Sequence, residues 1–214
     1  MPSFGFSAFL KLLSLSDRRQ LSELRSRLAP SDSGYDFHRG FRLLAARYLG
    51  RGEDLAALLK EADAFRNEAE ARSARAALEY LSRWRLDFPG ALSTVPPQAF
   101  ESPNKQFKVR YTPDFGIDID GQVVAVHIWK TLRPDLDARM TYAALSLFPA
   151  LYTGNANAPD DVAVLSVLNG RLYRLSDVPD QSLLASRVVG ALDTRMEELG
   201  DRRPPPQPPA IILP

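Results

Sequence analysis

Asp120-Gly121 constrains this chain more than any other dipeptide in it. It sits between "FGIDI" (115–119) and "QVVAVHIW" (122–129), two runs rich in β-branched and aromatic residues. Asp and Gly both accept positive φ, so the pair suits a two-residue type I′ turn between antiparallel strands. That turn sets the register: Ile119 opposite Gln122, Asp118 opposite Val123, and Asp114 opposite His127. Paired residues share a face. One face then carries Phe115, Ile117, Ile119, Val124, Val126, Ile128 and Lys130. The other carries Asp114, Gly116, Asp118, Val123, Ala125, His127 and Trp129.

Upstream of the hairpin the period is helical. Residues 1–88 read as a helical region: Leu21, Leu24 and Leu28 recur at helix spacing, and a second helix runs from about Asp36 to Leu49 before Gly50 and Gly52. Asp54 opens a long third helix, with Leu55, Leu58, Ala62, Leu78, Leu81 and Trp84 on one face. Residues 89–106 hold four prolines and no periodicity, and read as a linker or wrapping loop. Strands follow at about 107–112, 114–119 and 122–130. A helix starts near Asp135 and Asp137, whose charges suit its N-terminus. A second hairpin turns at Asn169-Gly170, and an amphipathic helix covers 180–199. The 107–200 segment forms one α/β unit, and 201–214 is a proline-rich tail. A helix between the third and fourth strands implies a mixed sheet flanked by helices, an α/β (α+β) fold behind an N-terminal helical region.

Of the 214 residues 45% are hydrophobic and 25% charged, enough to bury a real core, and the net charge of +1 gives no global field for a nucleic acid or membrane. With no cysteine, the chain has no disulfide, thiolate metal site or cysteine nucleophile. Lys11 interrupts the apolar start, and no run approaches the roughly 20 apolar residues a membrane span needs. A soluble cytoplasmic protein without a membrane partner is the expectation.

Acid-bearing hairpin, strand ending in lysine, helix, strand: over about residues 107–176 this order resembles the PD-(D/E)XK (restriction-endonuclease-like) superfamily, and RecB-like nuclease domains most closely. Pro113-Asp114 supplies the PD, Gly116 and Asp118 the glycine–aspartate strand, Lys130-Thr131 the end of the "DYKT" strand, and Tyr142 the helix tyrosine. Glu79 stands where some members carry an acid on a preceding helix. The resemblance implies a restriction-endonuclease-like core and a site of Asp114, Asp118 and Lys130. In that chemistry two carboxylates hold magnesium or manganese, the metal polarises the phosphate, and the lysine stabilises charge. The sequence departs from the pattern where it matters most: Ile128 stands at the second acid, Ala138 at the glutamine, and the glycine and aspartate are one residue too close.

Strand parity separates Lys130 from the aspartates, and only a bulge or a longer turn would reunite them. It brings Asp114, Asp118 and His127 onto one face, where they either bind a metal through imidazole and carboxylate or simply pair. Arg72, Arg75 and Arg83 on the long helix read as a solvated face with internal ion pairs or, with Trp84 and Arg85, as a grip on a nucleic-acid strand. The leading expectation is a catalytically degenerate nuclease-like protein that binds DNA or RNA or serves as an assembly module with a protein partner, and needs no cofactor. The alternatives are an active divergent metal-dependent nuclease, with Glu79 or His127 replacing the missing acid, and a non-enzymatic helical adaptor.

Overall fold

The computed structural model describes residues 1–28 and 37–201. Its centre is the hairpin of β5 (Phe115–Ile119) and β6 (Gln122–Trp129), in the register expected from the turn: Ile119 pairs with Gln122 and Asp118 with Val123. Asp120 (φ 55°) and Gly121 (φ 80°) both adopt the left-handed region. The Asp118 carboxylate accepts the Gly121 N–H at 2.8 Å and so holds the turn.

The crossover through α6 (Ala138–Leu145) brings β7 (Asp161–Ser166) parallel to β6, and β8 (Leu172–Arg174) returns antiparallel. With β2 (Leu92–Ser93) on the other edge, the five-stranded sheet runs β2-β5-β6-β7-β8. Each element has a local cause. Asp137 caps α6 by accepting the Met140 N–H at 3.0 Å. β7 is buried along its whole length, as a parallel strand covered on both faces must be.

Helices cover both faces. Against one pack α3 (Arg39–Arg51), α4 (Leu55–Asp63) and α5 (Glu68–Asp87), in a core with Phe115, Ile117, Val124, Val126, Ile128 and Leu165. Against the other pack α1 (Phe6–Leu13), α2 (Asp17–Leu28), α6 and α7 (Ser182–Asp201), in a core with Ala125, Trp129, Val162 and Val164. The alternation of the hairpin therefore partitions the two cores as its sequence implies. No helix of the described residues is long and apolar enough to cross a membrane.

Three expectations are corrected. The first 88 residues are not wholly helical: β1 (Ser3–Gly5) pairs parallel with β4 (Lys108–Tyr111), which with β3 (Gln98–Glu101) forms a second sheet of order β1-β4-β3. The long helix from Asp54 breaks between Asp63 and Glu68, because the Asn67 side chain accepts the Ala69 and Glu70 N–H groups and starts a new N-terminus. The stretch 89–106 is not a bare linker, since it contributes β2 and β3 (Gln98–Glu101). Its prolines restrict it to short pieces on sheet edges. The proline-rich tail beyond Asp201 lies outside the described residues.

Candidate functional site

Three groups of side chains are candidates for a site. The first is the nuclease-like set. Lys130 follows β6 on the face packed by α3 and α5. It is 5% exposed, and its Nζ lies 4.4 Å from the centre of the Phe41 ring with no hydrogen-bond partner among the described residues. Burial pushes this amine down to about 8, the negative charge of Glu70 opposes that, and Arg42 reinforces it. Asp114 lies on the opposite face with His127.

No bulge relieves this separation. Pairing is continuous from Phe115–Val126 to Ile119–Gln122, and β6 stays in step with β7 out to Trp129–Ser166. Ile128, on the lysine's face, is a core residue. Asp118 sits at the turn end of β5, about 13 Å along an extended chain from Asp114. It is exposed and committed to Gly121. Among the described residues no three His, Cys, Asp or Glu side chains come close enough to hold a metal ion. The expected trio of Asp114, Asp118 and His127 is thus corrected to a pair, and these residues do not fit a divalent cation. Glu79 does not join them: it pairs with Arg75 at 3.0 Å on the outer face of α5.

The second group is built around that pair. His127 Nδ1 lies 3.3 Å from Asp114 Oδ2 and 3.4 Å from the Thr112 carbonyl oxygen. Both neighbours are acceptors, so in the neutral ring Nδ1 carries the proton and Nε2 presents its lone pair. Ser7 Oγ is 2.7 Å from Nε2 and donates to it. The Asp114 carboxylate is itself fixed, accepting the Ile128 N–H at 2.7 Å. Phe6 lies edge-on to the imidazole at 5.3 Å, and the buried Tyr111 ring is 6.4 Å away. Burial pushes the Tyr111 phenol well up, so it stays neutral and donates to the Ala125 carbonyl at 2.8 Å. Ser7 and Thr112 carry no signal in the sequence. Ser7 lies 120 positions from its partner, and no motif surrounds it.

The third group is the outer face of α5. A groove of about 500 Å³ runs between α5 and the segments that leave the carboxyl ends of β6 and β7. Arg72, Arg83 and Tyr80 line it, with Leu132 and Leu168 at its rim. Ligands of open α/β sheets commonly bind outside the carboxyl ends of the strands. Arg72 makes only a loose 3.6 Å pair with Glu68, both highly exposed, and Arg83 donates through Nε to the Glu79 carbonyl at 3.3 Å. The other candidates for a nucleic-acid grip are spent. Arg75 is held by Asp63 and Glu79, and Arg85 donates to the Phe88 and Gly90 carbonyls. Trp84 is 3% exposed, stacked on Phe88 at 4.8 Å and packed on Phe115, so it offers no face to a base.

No family model matches the sequence, and no curated protein matches it. Among solved structures that match, the crystal structure of SSO0001 is similar at 14% identity, over 91% of this chain and 86% of that one. Its TM-score is 0.31, a likeness too slight to carry any part of the functional reading.

Proposed function

We propose that this is a catalytically degenerate, nuclease-like protein of the cytoplasm that binds single-stranded nucleic acid in the α5 groove, as a restriction-endonuclease-like scaffold that has kept its fold and lost its cutting site. The groove is the observation that carries this reading. Two exposed arginines stand beside a tyrosine ring at the carboxyl ends of two parallel strands. Guanidinium groups on phosphates with aromatic rings on bases is the way sequence-tolerant single-strand binding works. Against cutting stands the sheet itself, which lies between Lys130 and the aspartates.

Fluorescence anisotropy with a fluorescein-labelled single-stranded oligonucleotide tests it. Binding should weaken steeply as salt rises, because phosphate contacts release counterions. The double variant Arg72→Ala/Arg83→Ala should bind about tenfold or more weakly and flatten the salt slope by about two. Absence of binding at low salt would sink the proposal. With added magnesium or manganese no cleavage is expected, and cleavage abolished by Asp114→Asn would restore the nuclease reading.

One observation favours a second occupant. Leu132 and Leu168, 67% and 44% exposed, flank the same groove and suit an apolar protein segment. An assembly role would show as partner capture lost in Leu132→Asp/Leu168→Asp and unaffected by loss of the arginines.

A further inference from the structure

We propose that Ser7, His127 and Asp114 form an acyl-transfer site that cleaves carboxylic esters. It lies on the face of the sheet away from the α5 groove and is independent of the nucleic-acid reading.

The constellation has the parts such chemistry requires, in the right order. The nucleophile needs a base within hydrogen-bond reach, and the base needs a third group to fix its tautomer. Ser7 Oγ stands 2.7 Å from His127 Nε2. On the far side of the ring, the Asp114 carboxylate at 3.3 Å and the Thr112 carbonyl at 3.4 Å keep the proton on Nδ1. His127 is 9% exposed, whereas Ser7 is partly open to solvent. The base is thus shielded from water, while the residue that carries the nucleophile lies partly at the surface.

Charge developing on the substrate oxygen also has somewhere to go. Ser7 is the second residue of α1, whose N-cap, Gly5, supplies no side-chain cap. The first-turn N–H groups of a helix lack intrahelical acceptors and carry its positive dipole end, so they are ready donors to an oxyanion. A Cβ at Gly5 would meet nothing within 4 Å, so the space beside this N-cap residue is open. Phe6, the neighbour of Ser7 in the chain, is buried with its ring edge-on to His127 and to Phe148, each at 5.3 Å.

The steps balance without a cofactor. As the Ser7 Oγ–carbon bond forms, the hydroxyl proton passes to His127 Nε2. The carbon–oxygen bond to the alcohol breaks, and that alcohol leaves with the proton from Nε2. Water then gives a proton to Nε2 while its oxygen attacks the acyl carbon. Release of the acid returns the proton to Ser7 Oγ. Ser7 and His127 are catalytic in this scheme, and Asp114 is a positioning residue acting through the imidazole.

The full chain treated with a reporter-tagged alkyl fluorophosphonate tests the site. Peptide mass spectrometry should find the label on Ser7. It should be absent in Ser7→Ala and at least about tenfold slower to form in His127→Gln. Asp114→Asn should lower the maximal labelling rate and leave the half-saturating reagent concentration unchanged, a split that loss of packing alone would not produce. Because His127 is buried and its variant can fold poorly, Ser7→Cys supplies a second measurement. Iodoacetamide should alkylate the introduced thiol about tenfold or more faster with His127 present than with His127→Gln. A Ser7 that takes no label, or an introduced thiol whose alkylation is indifferent to His127, overturns the proposal.

Discussion

The two faces of the central sheet bury polar groups in opposite ways. On the α3–α5 face the hairpin buries only apolar side chains up to Lys130, whose ammonium is left against an aromatic ring. On the α1–α6–α7 face it contributes Asp114 and His127, whose carboxylate and ring nitrogens find partners across the core boundary. Unpaired burial costs free energy, and satisfied burial holds side chains in one arrangement. The first face therefore carries a destabilising charge, and the second a set of polar groups that satisfy one another.

Removing the packing beneath each face is the strongest way to test whether they belong to one cooperative structure. Trp129→Ala on the histidine's face should cost about 3–5 kcal/mol, and Leu78→Ala on the lysine's face about 2–5 kcal/mol, since both residues are essentially fully buried. In urea both variants should unfold in a single transition shifted to lower denaturant, because the same five strands underlie both cores. A biphasic curve in which only one phase moves would split the molecule along its sheet and break the comparison.

Lys130 gives the next largest effect, and its sign is diagnostic. Burial lowers the folded amine from 10.5 to about 8. Between those values the unfolded chain holds a proton that the folded chain has released, so stability from this group rises with pH across that window. At pH 7 the folded protein bears the full cost of a buried charge. Lys130→Met should therefore be more stable than the parent at pH 7, by up to roughly 3 kcal/mol. The advantage should shrink above pH 8 and vanish near 10.5. Thermal denaturation of the two proteins in parallel across pH 7 to about 10 reads this directly. A variant less stable at pH 7 would mean that the ammonium has a partner worth more than its burial costs.

The sequence made the hairpin legible because strand parity is a strict rule: a two-residue turn decides which side chains share a face, and Asp114–His127 and the isolation of Lys130 follow from it. Periodicity was a weaker guide over 54–87, where one apolar stripe runs through two helices. The break rests on the Asn67 side chain claiming two N–H groups, which a hydrophobic count cannot see. Ser7 was out of reach for a different reason. It meets His127 because β1 pairs with β4 and aims the start of α1 at the hairpin, a contact between segments 120 residues apart. Long separations along the chain also hid Phe41 and Glu70 from Lys130. Trp84 misled because an amphipathic helix places aromatic residues on its buried stripe, beside the arginines of its exposed one.

The smallest effects come from the helix caps, one on each face. Asn67 starts α5 beneath the groove, and Asp137 starts α6 beside the histidine's core. Replacing either by Ala should cost about 1 kcal/mol, since each removes an acceptor from first-turn N–H groups, which lack acceptors within the helix. The consequences should stay local but differ in kind. Asn67→Ala frees the Ala69 and Glu70 amides, loosening the turn that carries Glu70, whose charge acts on Lys130, and Arg72, which lines the groove. Asp137→Ala frees the Met140 amide and leaves the groove untouched. Amide hydrogen exchange should therefore quicken at 69–72 in the first variant and near 140 in the second. Oligonucleotide affinity should fall only in the first. If either substitution quickened exchange on both sides of the sheet, the two faces would share a local stability that their separate cores give no reason to expect.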